Sequence, residues 1–144
     1  MFLLDTNVVS ELRKIRAGKA DANVAAWAES VSAQSLFLSA ITIHELELGV
    51  RLVERRDRKQ GAILRTWLEN RVLQVFEGRI LPVDTDVARR SAALHVPDPR
   101  PIRDAFIAAT ALAHRLVVVT RDIEDFQGTG AELLNPWESL PKSV

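Results

Sequence analysis

Asp5, Glu45, Asp104 and Asp122 are far apart in the chain, yet the pattern around each can bring it to one place. Asp5 ends the apolar run Phe2-Leu3-Leu4, and Asp122 follows the apolar run from Leu116 to Val119 by a few residues. If both runs are parallel strands, the two carboxylates project from the carboxyl edge of one sheet, where open α/β folds bind ligands. Glu45 and Asp104 fall near the starts of two expected helices that can pack beside that edge. Carboxylates gathered there repel one another unless a positive charge sits between them. A hard divalent cation such as Mg²⁺, with its preference for oxygen ligands, fills that role. The chemistry implied is a metal-dependent reaction at phosphate.

Taken singly, each acid has a plainer reading. Asp5 can cap the helix that begins at Thr6 or Asn7, Asp104 can cap an Ala-rich helix, and Asp122 can be a turn residue, with Asp125 competing for the same role. Glu45 near a helix N-terminus complements the helix dipole. Thr6 and Asn7, with short polar side chains beside Asp5, can join a metal or water network. Only the joint placement of the four acids points to a site.

The elements that must position them alternate. Phe2 to Leu4 is an expected strand, followed by a helix from about Thr6 to Ile15, a break at Gly18, and a helix from about Asp21 to Val31. Leu36 to Leu38 is a short buried strand, and Ser39 is placed to cap the long helix that carries Glu45. Another helix spans about Arg58 to Val75. Arg79 to Val83 is the next strand, ending at a helix cap in Asp84 or Asp86, and Pro97, Pro99 and Pro101 stop the helix that follows. Asp104 then opens a helix through His114, Leu116 to Thr120 is a strand, and Glu132 to Leu134 adds a short edge strand. This alternation predicts an α/β fold: one domain over residues 1–144, with a central parallel sheet flanked by helices on both faces.

The 144 residues are enough for a sizeable core, and nearly half are apolar. No apolar run approaches the ~20 residues that span a bilayer, and the N-terminus has no signal-peptide pattern. With zero cysteines, disulfides, Cys-ligated zinc and thiol nucleophiles are excluded, and a cytoplasmic protein without membrane attachment is expected. The net charge is zero, but 15 of the 19 basic residues are arginine, the side chain best suited to phosphate. The clusters Arg51-Arg55-Arg56-Arg58-Lys59 and Arg13-Lys14-Arg16-Lys19 are most simply solvated helix faces, and Trp27 and Trp67 most simply core residues. His44 and Glu45 do not continue into HExxH, because Leu48 occupies the last position; His95 is expected at the surface and His114 at a helix end. No GxSxG, Walker A or GxGxxG motif is present. A haloacid-dehalogenase-type phosphatase needs a second Asp two residues after the nucleophile, and Asn7 stands there.

The opening Met1-Phe2-Leu3-Leu4-Asp5-Thr6-Asn7-Val8-Val9-Ser10-Glu11 resembles that of PIN-domain ribonucleases, and more narrowly the VapC toxins of type II toxin–antitoxin pairs in their FitB-like branch. Three further stretches carry the likeness: Leu38 to Val50, Gly78 to Asp84, and Asp104-Ala105-Phe106-Ile107-Ala108-Ala109-Thr110-Ala111. Val119-Thr120-Arg121-Asp122, Asp125-Phe126 and Asn135-Pro136-Trp137 complete it. The resemblance implies that Asp5, Glu45 and Asp104 form the acidic site, with Asp122 as a fourth and less strictly required member, since many relatives carry Asn there. Asp125 matches a second acidic position with a structural role, and Thr120 is placed to hydrogen-bond an acid or a metal-bound water. The loop from His95 to Arg103 is shorter and richer in proline than the family pattern.

By the same resemblance, the activity is endonucleolytic hydrolysis of RNA with Mg²⁺, or Mn²⁺ as a substitute, leaving 5′-phosphate and 3′-hydroxyl ends. The implied partners are an RNA substrate, a second copy in a homodimer, and a cognate VapB/FitA-like antitoxin through which operator DNA is reached. The apolar, Trp-bearing helices from about Asp21 to Val75 are the expected contacts. The alternative is a catalytically weak PIN-like binding module acting mainly through its antitoxin in operon repression.

Overall fold

In the computed structural model, which describes residues 1–138, five short strands form the centre: β1 (Phe2–Leu4), β2 (Leu36–Ser39), β3 (Ile80–Leu81), β4 (Val117–Val119) and β5 (Leu133–Leu134). All neighbours are parallel, and their order across the sheet is β3-β2-β1-β4-β5. The chain therefore builds outward from β1 in one direction, then crosses back to lay β4 on the other side of β1. That reversal leaves a crevice at the carboxyl ends of β1 and β4. Residues 139–144, the tail of the expected domain, lie outside the described residues.

Among the described residues, seven α-helices cover the sheet: α1 (Thr6–Leu12), α2 (Ala22–Ser30), α3 (Ala40–Arg56), α4 (Arg58–Trp67), α5 (Thr85–Leu94), α6 (Ile102–His114) and α7 (Ile123–Phe126). Strand side chains alternate between two cores, as a pleat requires. Leu4, Leu36, Leu38 and Val119 point into one, with Val8 and Val9 of α1, Trp27 of α2, and Leu46 and Val50 of α3. Leu3 and Val118 point into the other, with Ile107, Ala108 and Ala111 of α6 and Phe126 of α7. Helices on both faces bury the strands from both sides, which is why the strand sequences are continuous apolar runs. Trp27 is a core residue as expected, whereas Trp67 is half-buried at its edge with the Arg13 guanidinium 5.7 Å above the ring.

Several element boundaries differ from the sequence expectation. The first helix stops at Leu12 and gives way to a separate 3₁₀ turn at Ile15–Ala17. The helix expected over 58–75 is continuous, but Leu68–Leu73 winds as a π-helix. The strand expected over 79–83 pairs only at Ile80 and Leu81, and Asp84, not Asp86, caps α5 by accepting from the Val87 N–H at 2.9 Å. Asp86 instead pairs with Arg90. His95 has more than a surface role: its Nδ1 accepts from the Arg100 backbone N–H at 3.1 Å, and Arg100 reaches the Leu94 and Gln127 carbonyls. The proline-rich loop is thereby fastened over the α5–α6 junction and delivers Pro101 to the start of α6.

Candidate active site: an acidic cleft at the sheet's switch point

Register decides the centre of the site. Leu4 and Val119 are directly paired, so the next residues, Asp5 and Thr120, leave adjacent strands side by side. The Asp5 N–H donates to the Val119 carbonyl at 2.9 Å, and the Thr120 hydroxyl donates to Asp5 Oδ2 at 2.8 Å. Asp5 Oδ1 accepts from the Thr6 N–H at 2.8 Å, so Asp5 caps α1 and faces the crevice at once. Capping and a role in the cleft are compatible because the two carboxylate oxygens do different things.

Asp122 lies on the turn after β4, and its Oδ2 accepts from Asn7 Nδ2 at 3.0 Å, while its N–H donates to Thr120 Oγ1 at 3.0 Å. Thr120 thus stands between Asp5 and Asp122, donating to one and accepting from the other's backbone. Glu45 comes from α3, which Ser39 caps by accepting from the Ile41 N–H at 3.0 Å. Asp104 does not cap α6. That helix begins at Ile102 behind Pro101, which leaves Asp104 in the first turn with its carboxylate free. Proline at this boundary lacks an N–H that would need a partner.

All four expected acids line one cleft of about 380 Å³, with Thr6, Asn7, Pro101, Arg103 and Asp125. Two of these residues gain a place that the sequence reading did not assign. Asp125, expected to be structural, faces the cleft one turn after Asp122; its i+3 spacing from Asp122 on a short helix was the available signal. Arg103 reaches Glu45 Oε2 at 3.3 Å, and no local pattern marked it. The arginine clusters around residues 13–19 and 51–59 line none of this cleft.

Five carboxylates face one guanidinium in the cleft, and burial adds to their mutual repulsion. Burial pushes the Asp5 carboxyl above its ordinary range; the Thr120 and Thr6 hydrogen bonds oppose this, and Asp122 and Asp125 reinforce it. Burial also raises Glu45, against the pull of Arg103. The Thr6 hydroxyl faces Glu45 and opposes its rise slightly, although the oxygen is buried and closes no hydrogen bond of ordinary geometry. Asp104 is pushed up to about 6, by burial first and then by the charges of Asp5, Asp125 and Glu45. Strongly perturbed acids in a cleft mark functional sites more often than chance allows.

Whether these residues suit a divalent cation can be judged from their chemistry. The donors are hard oxygens, three of the acids are held above their ordinary range, by burial first and by neighbouring carboxylates after it, and the buried Thr6 oxygen lacks a partner. Among the described residues, no three acidic or histidine side chains already converge as ligands of one ion. The fit is therefore one of donor type and charge, and closing a ligand shell requires side-chain rotation. Asp125 is exposed, and Glu45 and Asp104 only partly buried, so rotation of these three toward the oriented Asp5 and Asp122 is cheap.

A doubly wound α/β sheet binds its ligands in the crevice at its switch point, and here that crevice is lined with acids. Residues 2–131 match the PIN domain family, and the chain belongs to it. It is 39% identical over 143 residues to the VapC ribonuclease Y4jK of Sinorhizobium fredii, covering 96% of this chain and 99% of the relative. It is 40% identical over 142 residues to toxin FitB of Neisseria gonorrhoeae, covering 95% and 99%. The solved structure of FitAB bound to a DNA fragment superposes with a TM-score of 0.88 at 35% identity, covering 99% of this chain and 100% of that one.

Proposed function

We propose that this chain is the toxin of a type II toxin–antitoxin pair, a single-domain endoribonuclease that hydrolyses RNA phosphodiester bonds with Mg²⁺ or Mn²⁺. The observation that carries the reading is the cleft itself: Asp5, Glu45, Asp104, Asp122 and Asp125 face one space with a single guanidinium among them. Relatives named as a VapC ribonuclease and a FitB toxin, matched over nearly the whole chain, support the substrate class. FitAB bound to DNA supports a cognate antitoxin as partner, with operator DNA reached through it. A homodimer is part of the same reading. No described helix is long and apolar enough to cross a membrane.

Asp5, Glu45, Asp104 and Asp122 would hold the ion, with Asp5 and Asp104 central. When bound, it supplies positive charge that admits a phosphate among the acids and eases loss of a proton from water. Thr120 holds the Asp5 carboxylate at the end of β1, and Asn7 orients Asp122, so two acids keep their direction when a substrate arrives. Water adds to phosphorus in line as the P–O3′ bond breaks and O3′ takes up a proton, leaving a 5′-phosphate and a 3′-hydroxyl. The partly open cleft suits a single strand, whose groove-shape contacts set the target.

The deciding experiment is cleavage of a total RNA pool by purified antitoxin-free protein with Mn²⁺ or with EDTA, beside Asp5→Asn. Discrete metal-dependent fragments with 5′-phosphate ends, absent in the variant, establish the enzyme. Equal cleavage by both proteins identifies a contaminant. An inert wild type that still binds its antitoxin favours a PIN-like binding module instead.

A further inference from the structure

Arg103 is the single cationic side chain among the described residues lining the acidic cleft. Its Nη1 lies 3.3 Å from Glu45 Oε2, yet the side chain remains 60% exposed. Arg65, on the α3–α4 hairpin, shows the contrasting case: it meets Glu47 at 2.7 Å and Glu54 at 2.8 Å and is only 22% exposed. Arg65 is locked by several partners, whereas Arg103 has one partner at longer range. An exposed single-contact pair of this kind is weak and readily exchanged. Arg103 also sits in the first turn of α6 beside Asp104, so its backbone stays at the cleft mouth wherever the side chain turns.

On the reading of the site given above, we infer that Arg103 is an exchangeable counter-cation. It pairs with Glu45 while the cleft holds no ion, gives up that carboxylate to a divalent cation, and then binds a phosphate oxygen of the RNA at the cleft mouth. Two physical reasons support the exchange. A doubly charged ion on Glu45 repels a guanidinium at the same carboxylate, so the two compete. A released guanidinium among acids already satisfied by an ion is best paired with phosphate, whose geometry it matches. The pair thus keeps Glu45 compensated in the resting cleft and makes Arg103 a positioning residue in the loaded one.

Competition followed by phosphate binding predicts effects of opposite sign, which damage to the fold does not produce. Mn²⁺ titration of the full chain without RNA, followed by thermal shift and calorimetry, is compared for wild type, Arg103→Gln and Arg103→Lys. Arg103→Gln should bind Mn²⁺ roughly two- to fivefold more tightly, since its competitor is gone. The same variant should show a KM for RNA raised about tenfold with kcat changed less. Its salt dependence of kcat/KM should be shallower by about 0.7 in log–log slope, as for one lost phosphate contact. Arg103→Lys should keep the wild-type Mn²⁺ affinity and recover part of the RNA affinity.

Unchanged or weaker Mn²⁺ binding in Arg103→Gln overturns the exchange, and an unchanged KM overturns the phosphate contact. Failure of wild type itself to bind Mn²⁺ removes the metal reading of the cleft, and the exchange with it; that result is recognised before any variant is made.

Discussion

The Thr120 hydroxyl donates a 2.8 Å hydrogen bond to Asp5 Oδ2 across 115 residues of chain, and both groups are buried. It joins the ends of β1 and β4 at the one place in the sheet where the direction of winding reverses. The same oxygen accepts from the Asp122 N–H, so one small side chain sets the relation between two acids.

Thr120→Val keeps the shape and removes both hydrogen bonds. Asp5, already raised by burial, loses its largest opposing influence and should rise further. Stability at neutral pH should fall by about 1–3 kcal/mol, the cost of a buried group left unpartnered, measured by urea unfolding. The acid limb of the cleavage pH profile should move to higher pH. An unchanged limb would mean that Asp5 ionisation does not govern the rate.

Asp104 carries a stability prediction with a definite sign. Its folded pKa, about 6, lies above the ordinary 3.8, so between those values the folded state holds the proton more tightly than the unfolded chain. Stability from this group is full at the acid end of that window and declines as pH rises toward 6. Asp104→Asn should therefore be the more stable protein at pH 7 without metal, by on the order of 1 kcal/mol after solvent screening or about 3 °C in Tm. The advantage should vanish below about pH 4, and cleavage should be abolished. Equal melting of the two proteins at pH 7 would show that the acids do not strain one another.

Divalent cations should raise the wild-type Tm, by the equivalent of about 2.7 kcal/mol at a hundred times Kd. The shift should shrink as pH falls through 6, because the ion must displace the proton on Asp104. The double variant Asp5→Asn/Asp104→Asn should show no shift; a retained shift would locate metal binding elsewhere.

Gly61 tests the packing of α4 against the far half of α3, the helix that carries Glu45. It lies in α4 against α3, and a Cβ there would meet Glu54 Cα at 2.5 Å. Gly61→Ala must open the α3–α4 hairpin, and the overpacking should cost about 1–3 kcal/mol despite the better helix propensity of alanine. Unfolding by denaturant checks this; a stabilised variant would show that the helices separate freely.

The succession of strands and helices was legible in the residues because it rests on local signals. Apolar runs of strand length and the caps Asp5, Ser39 and Asp84 each act within a few residues. The four acids were legible as candidates for the same reason: each follows or opens such an element. Their convergence depends on the strand order, which no local pattern encodes, since it is chosen by which apolar faces pack together. Asp104 looked like a cap, and only the placement of Pro101 and Ile102 two to three residues earlier freed its carboxylate. In the chain Asp125 reads as a structural acid and Arg103 as an ordinary surface charge; the folded crevice turns one toward Asp5 and Asp104 and the other onto Glu45. Residue types and spacing determined which groups could do chemistry. The long-range register of β1 beside β4, stabilised by burial on both faces of the sheet, decided which of them meet.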